Sequence, residues 1–181
     1  MTAPWTPDTY IAALHFAAKA HLGQLIPGTD IPYIAHPAQV AQEVMAVIGA
    51  ESVAAPDLAV QCALLHDVVE DCNITVEALE DKFGRAVATG VAALTKDESL
   101  SLEEAMRDSL ARIRQEPREV WMVKLADRIS NLMPPPAHWS KQKCAAYREE
   151  AGLILEALGE ASPLLAQRLG EKIEAYTQYT V

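Results

Sequence analysis

Positive charge is scarce in this chain. Lysine and arginine total 15 of 181 residues against 25 aspartates and glutamates, a formal net charge of −10 at pH 7. A protein that coats DNA or RNA needs a basic face to neutralise phosphates, so no nucleic-acid partner is expected. A small phosphorylated ligand, held by a few local cations or a metal, remains compatible. Cysteine is sparse too: Cys62, Cys72 and Cys144 are an odd set without a CxxC pair. That argues against a disulfide framework and thiolate metal ligation, and makes a reducing cytoplasm the expected compartment. No apolar run reaches the roughly 18 residues of a membrane span, so no membrane partner is expected. The start, Met-Thr-Ala-Pro-Trp-Thr-Pro, lacks a basic segment followed by an apolar one, so no signal peptide is expected.

Apolar residues make up 50% of the chain and charged ones 22%, enough for a real core and consistent with one domain over residues 1–181. The helical period dominates. Ile11, Leu14, His15, Ala18 and Leu22 predict an amphipathic helix from Pro7 towards Gly23. Gln24 to Tyr33, with Pro27, Gly28 and Pro32, reads as an irregular loop. A second helix begins near His36-Pro37 with Val40, Val44 and Val47 on one face and closes at Gly49. The helix opened by Pro56 is apolar on nearly all sides through Val69, so it is expected at the centre.

Thr75 is a candidate N-cap, Gly84 a break, and Thr95-Lys-Asp-Glu-Ser a polar loop. Further helices are expected from Ser101 to Gln115, Pro117 to Leu132, Ser140 to Leu158 and Pro163 to Tyr179, with a turn at Pro134-Pro135-Pro136. No useful strand alternation occurs. The expected fold is all-α, a bundle of about eight or nine helices.

Three groups carry possible chemistry. His66-Asp67 ends the most apolar helix, with Glu70 four residues after His66 and Asp71 four after Asp67. All four are expected on adjoining strips of one helical surface. Three acids and an imidazole there are costly unless they meet cations or water. A divalent metal such as Mn²⁺, Fe²⁺, Mg²⁺ or Zn²⁺ would meet that demand. His36, where loop meets helix, is either structural or a further ligand. Lys124, Asp127, Arg128 and Asn131 recur at helical spacing. They form either a solvated helix face with internal ion pairs or a strip from which Asp127 could supply a carboxylate ligand. Cys62 reads as core, His15 and His21 as structural or helix-terminal, and Trp121 as core. Trp139 reads as packing or as a pocket rim.

These residues resemble the HD-domain metal-dependent phosphohydrolases, and within them the small alarmone hydrolases of the RelA/SpoT homologues. The likeness rests on His21-Leu-Gly-Gln24, Pro32-Tyr-Ile-Ala-His-Pro37, Ala63-Leu-Leu-His-Asp-Val-Val-Glu-Asp71, Phe83-Gly84, Leu94-Thr-Lys96 and Val123-Lys-Leu-Ala-Asp-Arg-Ile-Ser-Asn-Leu132. The resemblance implies a single HD-type helical bundle. It implies one metal, most often Mn²⁺, on His36, His66, Asp67 and Asp127, with Glu70 and Asp71 acting on the attacking water. Gln24, Tyr33, Lys124, Asn131, Lys143 and Tyr147 would contact the substrate. The implied reaction removes the 3′-pyrophosphate of (p)ppGpp, leaving GDP or GTP. The alternatives are an HD phosphohydrolase acting on another nucleotide, such as NADPH, or a silent nucleotide-binding module. One departure bears on the base. The family commonly has a basic pair after the first-motif glutamine, whereas Gln24 is followed by Leu25-Ile26-Pro27-Gly28. The stacking arginine is therefore missing, and adenine alarmones such as (p)ppApp become candidate substrates.

Overall fold

A computed structural model describes residues 5–97 and 99–181. Residues 1–4 of the N-terminal stretch, and Glu98 of the expected polar loop, lie outside the described residues. Among the described residues there is no strand, and nine α-helices have eight residues or more. They are α1 (Pro7–Ala20), α2 (Ala35–Ala50), α3 (Pro56–Leu65), α5 (Val76–Phe83), α6 (Arg85–Leu94), α7 (Leu102–Ile113), α8 (Arg118–Asn131), α9 (Lys141–Leu158) and α10 (Pro163–Tyr176). A single turn, α4 (Val68–Asp71), follows α3, and the last helix ends at Tyr176 in a 3-10 turn rather than running on to Tyr179.

The boundaries follow local chemistry. Prolines open α1, α3 and α10, where a missing N–H costs nothing. Thr75 caps α5 by accepting from the Ala78 amide at 3.2 Å, and Ser101 with Glu104 forms a capping box on α7. Gly84 adopts φ +85° between α5 and α6, which glycine reaches without strain.

Helices α3 and α8 form the centre. α1 and α6 pack on α3, α2 on both, and α9 and α10 on α8. One connected core runs from Ala13 to Tyr176. Val40, Val44 and Val47 of α2 are fully buried, as their spacing predicts.

Two expectations need correction. The first concerns α1. Its buried residues are Ala13 and Ala17, while Ile11 is 46% and Leu22 87% exposed. The helix lies against α3 with the small Ala13 and Ala17 innermost and with Tyr10, Leu14 and Phe16 half-buried against the core, so Leu14 keeps its expected side while Ile11 and Leu22 do not. The second concerns the helix carrying His66-Asp67, which is not continuous. It stops at Leu65 and resumes at Val68. The His66 ring bonds the Ala63 carbonyl through Nδ1 at 2.9 Å, a carbonyl that an unbroken helix would offer to the Asp67 amide.

The loop between α1 and α2 folds back on itself. Leu25 bridges Pro32, the Ile26 amide donates to the Ile31 carbonyl at 2.9 Å, and the Tyr33 amide to the Gln24 carbonyl at 2.9 Å. Gly28 turns it at φ +81°. Among the described residues no helix is long and apolar enough to cross a membrane.

Candidate active site

The α3–α4 break, the start of α2 and the buried face of α8 meet in a pocket of about 180 Å³. His36 and His66 are buried there, and their Nε2 atoms lie 3.2 Å apart. Asp67 Oδ2 stands 3.0 Å from His66 Nε2 and 3.5 Å from His36 Nε2. These three form a compact group that could hold an ion. Asp127 joins it through the histidines, with Oδ1 at 3.3 Å from His36 Nε2 and 3.7 Å from His66 Nε2.

The donor chemistry fits a divalent metal. With its Nδ1 proton on Ala63, a neutral His66 turns an Nε2 lone pair towards His36 and two carboxylates. Such an arrangement demands positive charge. Burial works against a charged His66, yet Asp67 and Asp127 raise its pKa well above the ordinary imidazole value. Burial likewise opposes charge on Asp127, but Lys124 and the two histidines hold its carboxyl well below the usual range. A cation satisfies all four groups, and the separations suit ligands bonded to one centre at roughly 2.0–2.3 Å.

The surroundings fix these groups. The Tyr33 hydroxyl donates to Asp67 Oδ2 at 2.7 Å, and burial together with Asp67 raises its pKa, so it stays a donor. Lys124 Nζ donates to Asp127 Oδ2 at 3.1 Å. Asn131 Nδ2 donates to Asp127 Oδ1.

The second pair of acids sits at the mouth. Glu70 and Asp71 are exposed and line the pocket. Glu70 Oε2 accepts from the Lys96 amide at 3.0 Å. Asp71 Oδ2 accepts from Gln24 Nε2 at 3.0 Å.

Residues 13–170 match the HD domain profile. The chain belongs to the HD-domain family. A guanosine-3′,5′-bis(diphosphate) 3′-pyrophosphohydrolase of Danio rerio is 32% identical over 164 residues, 88% of this HD chain and 89% of that protein. The Homo sapiens protein of the same description is 30% identical over 164 residues, with the same coverage. Among solved structures, a metazoan orthologue of SpoT described as hydrolysing ppGpp superposes with a TM-score of 0.82 at 25% identity, covering 99% of this chain and 100% of that one.

Several expected substrate contacts stand differently in this HD chain. Tyr33, Lys124, Asn131 and Tyr147 line the pocket, whereas Gln24 and Lys143 do not. Gln24 stands behind Asp71, with its Oε1 on His21 Nδ1 at 2.7 Å. Lys143 Nζ lies 4.3 Å over the Trp139 ring, because the aromatic face next to the α9 start offers it a partner outside the pocket. Most of the α8 strip is not a solvated face: Lys124, Asp127 and Arg128 are 7%, 6% and 3% exposed, and only Asn131 at its end is open to solvent. Leu94, Lys96 and Arg128 also line the pocket, although their sequence pattern does not mark them as contacts. For Lys96 the signal was the Leu94-Thr-Lys96 segment, which matched the family without suggesting a task.

Proposed function

We propose that this protein hydrolyses the 3′-pyrophosphate of (p)ppGpp, giving GDP or GTP and pyrophosphate. The observation that carries this reading is the joining of a buried His/Asp cluster to an exposed Glu70–Asp71 pair in one pocket. The family and the description of its relatives agree with it.

We assign His36, His66, Asp67 and Asp127 as the ligands of one divalent metal, Mn²⁺ by preference. When bound, the metal polarises a phosphoryl oxygen and acidifies water. The chain supplies the rest. Tyr33, Lys124 and Asn131 fix the carboxylates by donating to them. Glu70 and Asp71 orient the attacking water, and one of the two takes its proton at a carboxylate oxygen. Lys96 lines the same mouth, and its ammonium is the charge there that suits a phosphate. The pocket is small for a whole nucleotide. It takes the pyrophosphate end, and the nucleoside lies across the rim.

The base preference is broad on this reading. Where the family's basic pair would stand, the loop has Leu25 and Ile26; Leu25 is 49% exposed, and Ile31 on the returning arm of the same loop 46%. Apolar side chains hold either purine by its face. A lost cation–π contact is worth roughly 0.5–2 kcal/mol, at most a few tens of fold. Hydrolysis of both ppGpp and ppApp is therefore expected, from purified protein and metal without added RNA. Product analysis and kcat/KM on the two nucleotides test this. GDP or ADP with pyrophosphate, and a ratio below about 10³, agree. Release of orthophosphate, or a larger guanine preference, contradicts.

A further inference from the structure

The proposed chemistry uses Lys124, Asp127 and Asn131 of the α8 strip and leaves Arg128 without a task. Arg128 is 3% exposed and lines the catalytic pocket beside Asn131 and Tyr147. Its Nη2 reaches Glu150 Oε2 on α9 at 3.2 Å. Its guanidinium carbon lies 4.4 Å from the Tyr147 ring centroid. Its Nε and Nη1 are buried and have no hydrogen-bond partner.

That last observation is the telling one. A guanidinium is always charged and carries five N–H donors in its plane. An aromatic face offsets its charge but takes up none of the in-plane hydrogens. Buried donors are almost always partnered, and an exception calls for a ligand or a functional reason. A role confined to joining α8 and α9 is met by the Glu150 contact and leaves Nε and Nη1 unexplained. The guanidinium fork matches phosphate oxygens in shape and charge.

We propose that Arg128 is a substrate-binding residue. With Nε and Nη1 enclosed in this structure, nucleotide binding draws the guanidinium along the Tyr147 face towards the pocket, where those two donors receive phosphate oxygens and Tyr147 remains the platform that holds it. This rests on the reading that the pocket takes a phosphorylated nucleotide.

The test compares wild type, Arg128→Gln and Arg128→Lys with Arg107→Gln, a control whose side chain is 77% exposed and paired with Glu103. Three quantities are read: kcat and KM for ppGpp, bound metal, and calorimetric Kd for GDP and for inorganic pyrophosphate with free metal held constant. Losing a charged hydrogen bond should raise KM about tenfold or more for Arg128→Gln, with a smaller change in kcat and unchanged metal. At least one Kd should rise with KM: that for GDP if Arg128 holds the 5′-phosphates, that for pyrophosphate if it holds the 3′ end. Arg128→Lys, which keeps the charge but loses the fork, should fall between, and Arg107→Gln should match wild type.

Unchanged KM and unchanged Kd values in Arg128→Gln would overturn the proposal, as would a loss of kcat and metal with KM intact. Should Arg128→Gln fail to fold, Arg128→Lys carries the test: severalfold weaker anion binding supports the role, and wild-type affinity overturns it. A wild-type protein that binds these anions through Arg128 but leaves ppGpp intact would remove the proposed function and keep this inference.

Discussion

Gln24 illustrates how a side chain can serve a site it does not line. Its amide nitrogen holds Asp71 at 3.0 Å while its amide oxygen meets His21 at 2.7 Å. His21 itself is buried at the end of α1, so the exposed Asp71 is tied back to a fixed helix terminus. Gln24→Ala should free that carboxylate and lower kcat about tenfold, with KM and bound metal little changed. An unaltered kcat would show that Asp71 needs no such support. The acids themselves should matter more: Glu70→Gln and Asp71→Asn are each expected to lose roughly 10²-fold or more in turnover while keeping the metal. Near-full activity with bound metal in both would remove them from the chemistry. The pairing of Gln24 with Asp71 was not legible in the sequence. It depends on the folded-back loop from Leu25 to Pro32, which residue types alone predict only as a loop.

At the scale of elements, legibility followed the kind of signal. Helix starts were readable because prolines, Thr75 and the Ser101–Glu104 box act within a few residues. The inner face of α1 was legible only at Leu14, because alanines rank low in apolarity and gain their place from close approach to α3. The break at His66-Asp67 was hidden for another reason: a side chain captures the Ala63 carbonyl only once the ring is buried. Close approach also marks α6. A Cβ at Gly90 would stand 2.9 Å from Cys62 Sγ and 3.0 Å from Val120 Cγ2. Gly90→Val should therefore cost roughly 1–3 kcal/mol by overpacking. Gly152 in α9 has nothing within 4 Å of such a Cβ, so Gly152→Ala should add about 0.4–1 kcal/mol. Denaturant midpoints read both, and equal shifts in one direction would contradict the packing described for α6.

For the whole molecule, the site is a meeting of segments far apart in sequence around a common core. His36, His66-Asp67 and Asp127 come from α2, the α3–α4 break and α8. Their residue types were readable from the sequence; their convergence was implied only by family resemblance. Because the proposed ligands join separate helices, metal binding should stabilise the fold as a unit. At a hundredfold excess over Kd, an ion adds about 2.7 kcal/mol, which corresponds to roughly 5–10 °C in Tm for a chain of this size. His66→Ala should abolish most of that gain. A Tm indifferent to metal in the wild-type protein would contradict the ligand set.

The most direct test of the central claim is pyrophosphate release from ppGpp by chelator-stripped protein as Mn²⁺ is returned. No turnover is predicted without metal, with activity rising to a plateau at one ion per chain and GDP appearing in step with pyrophosphate. Turnover by the stripped protein, or no pyrophosphate at any metal concentration, would contradict it.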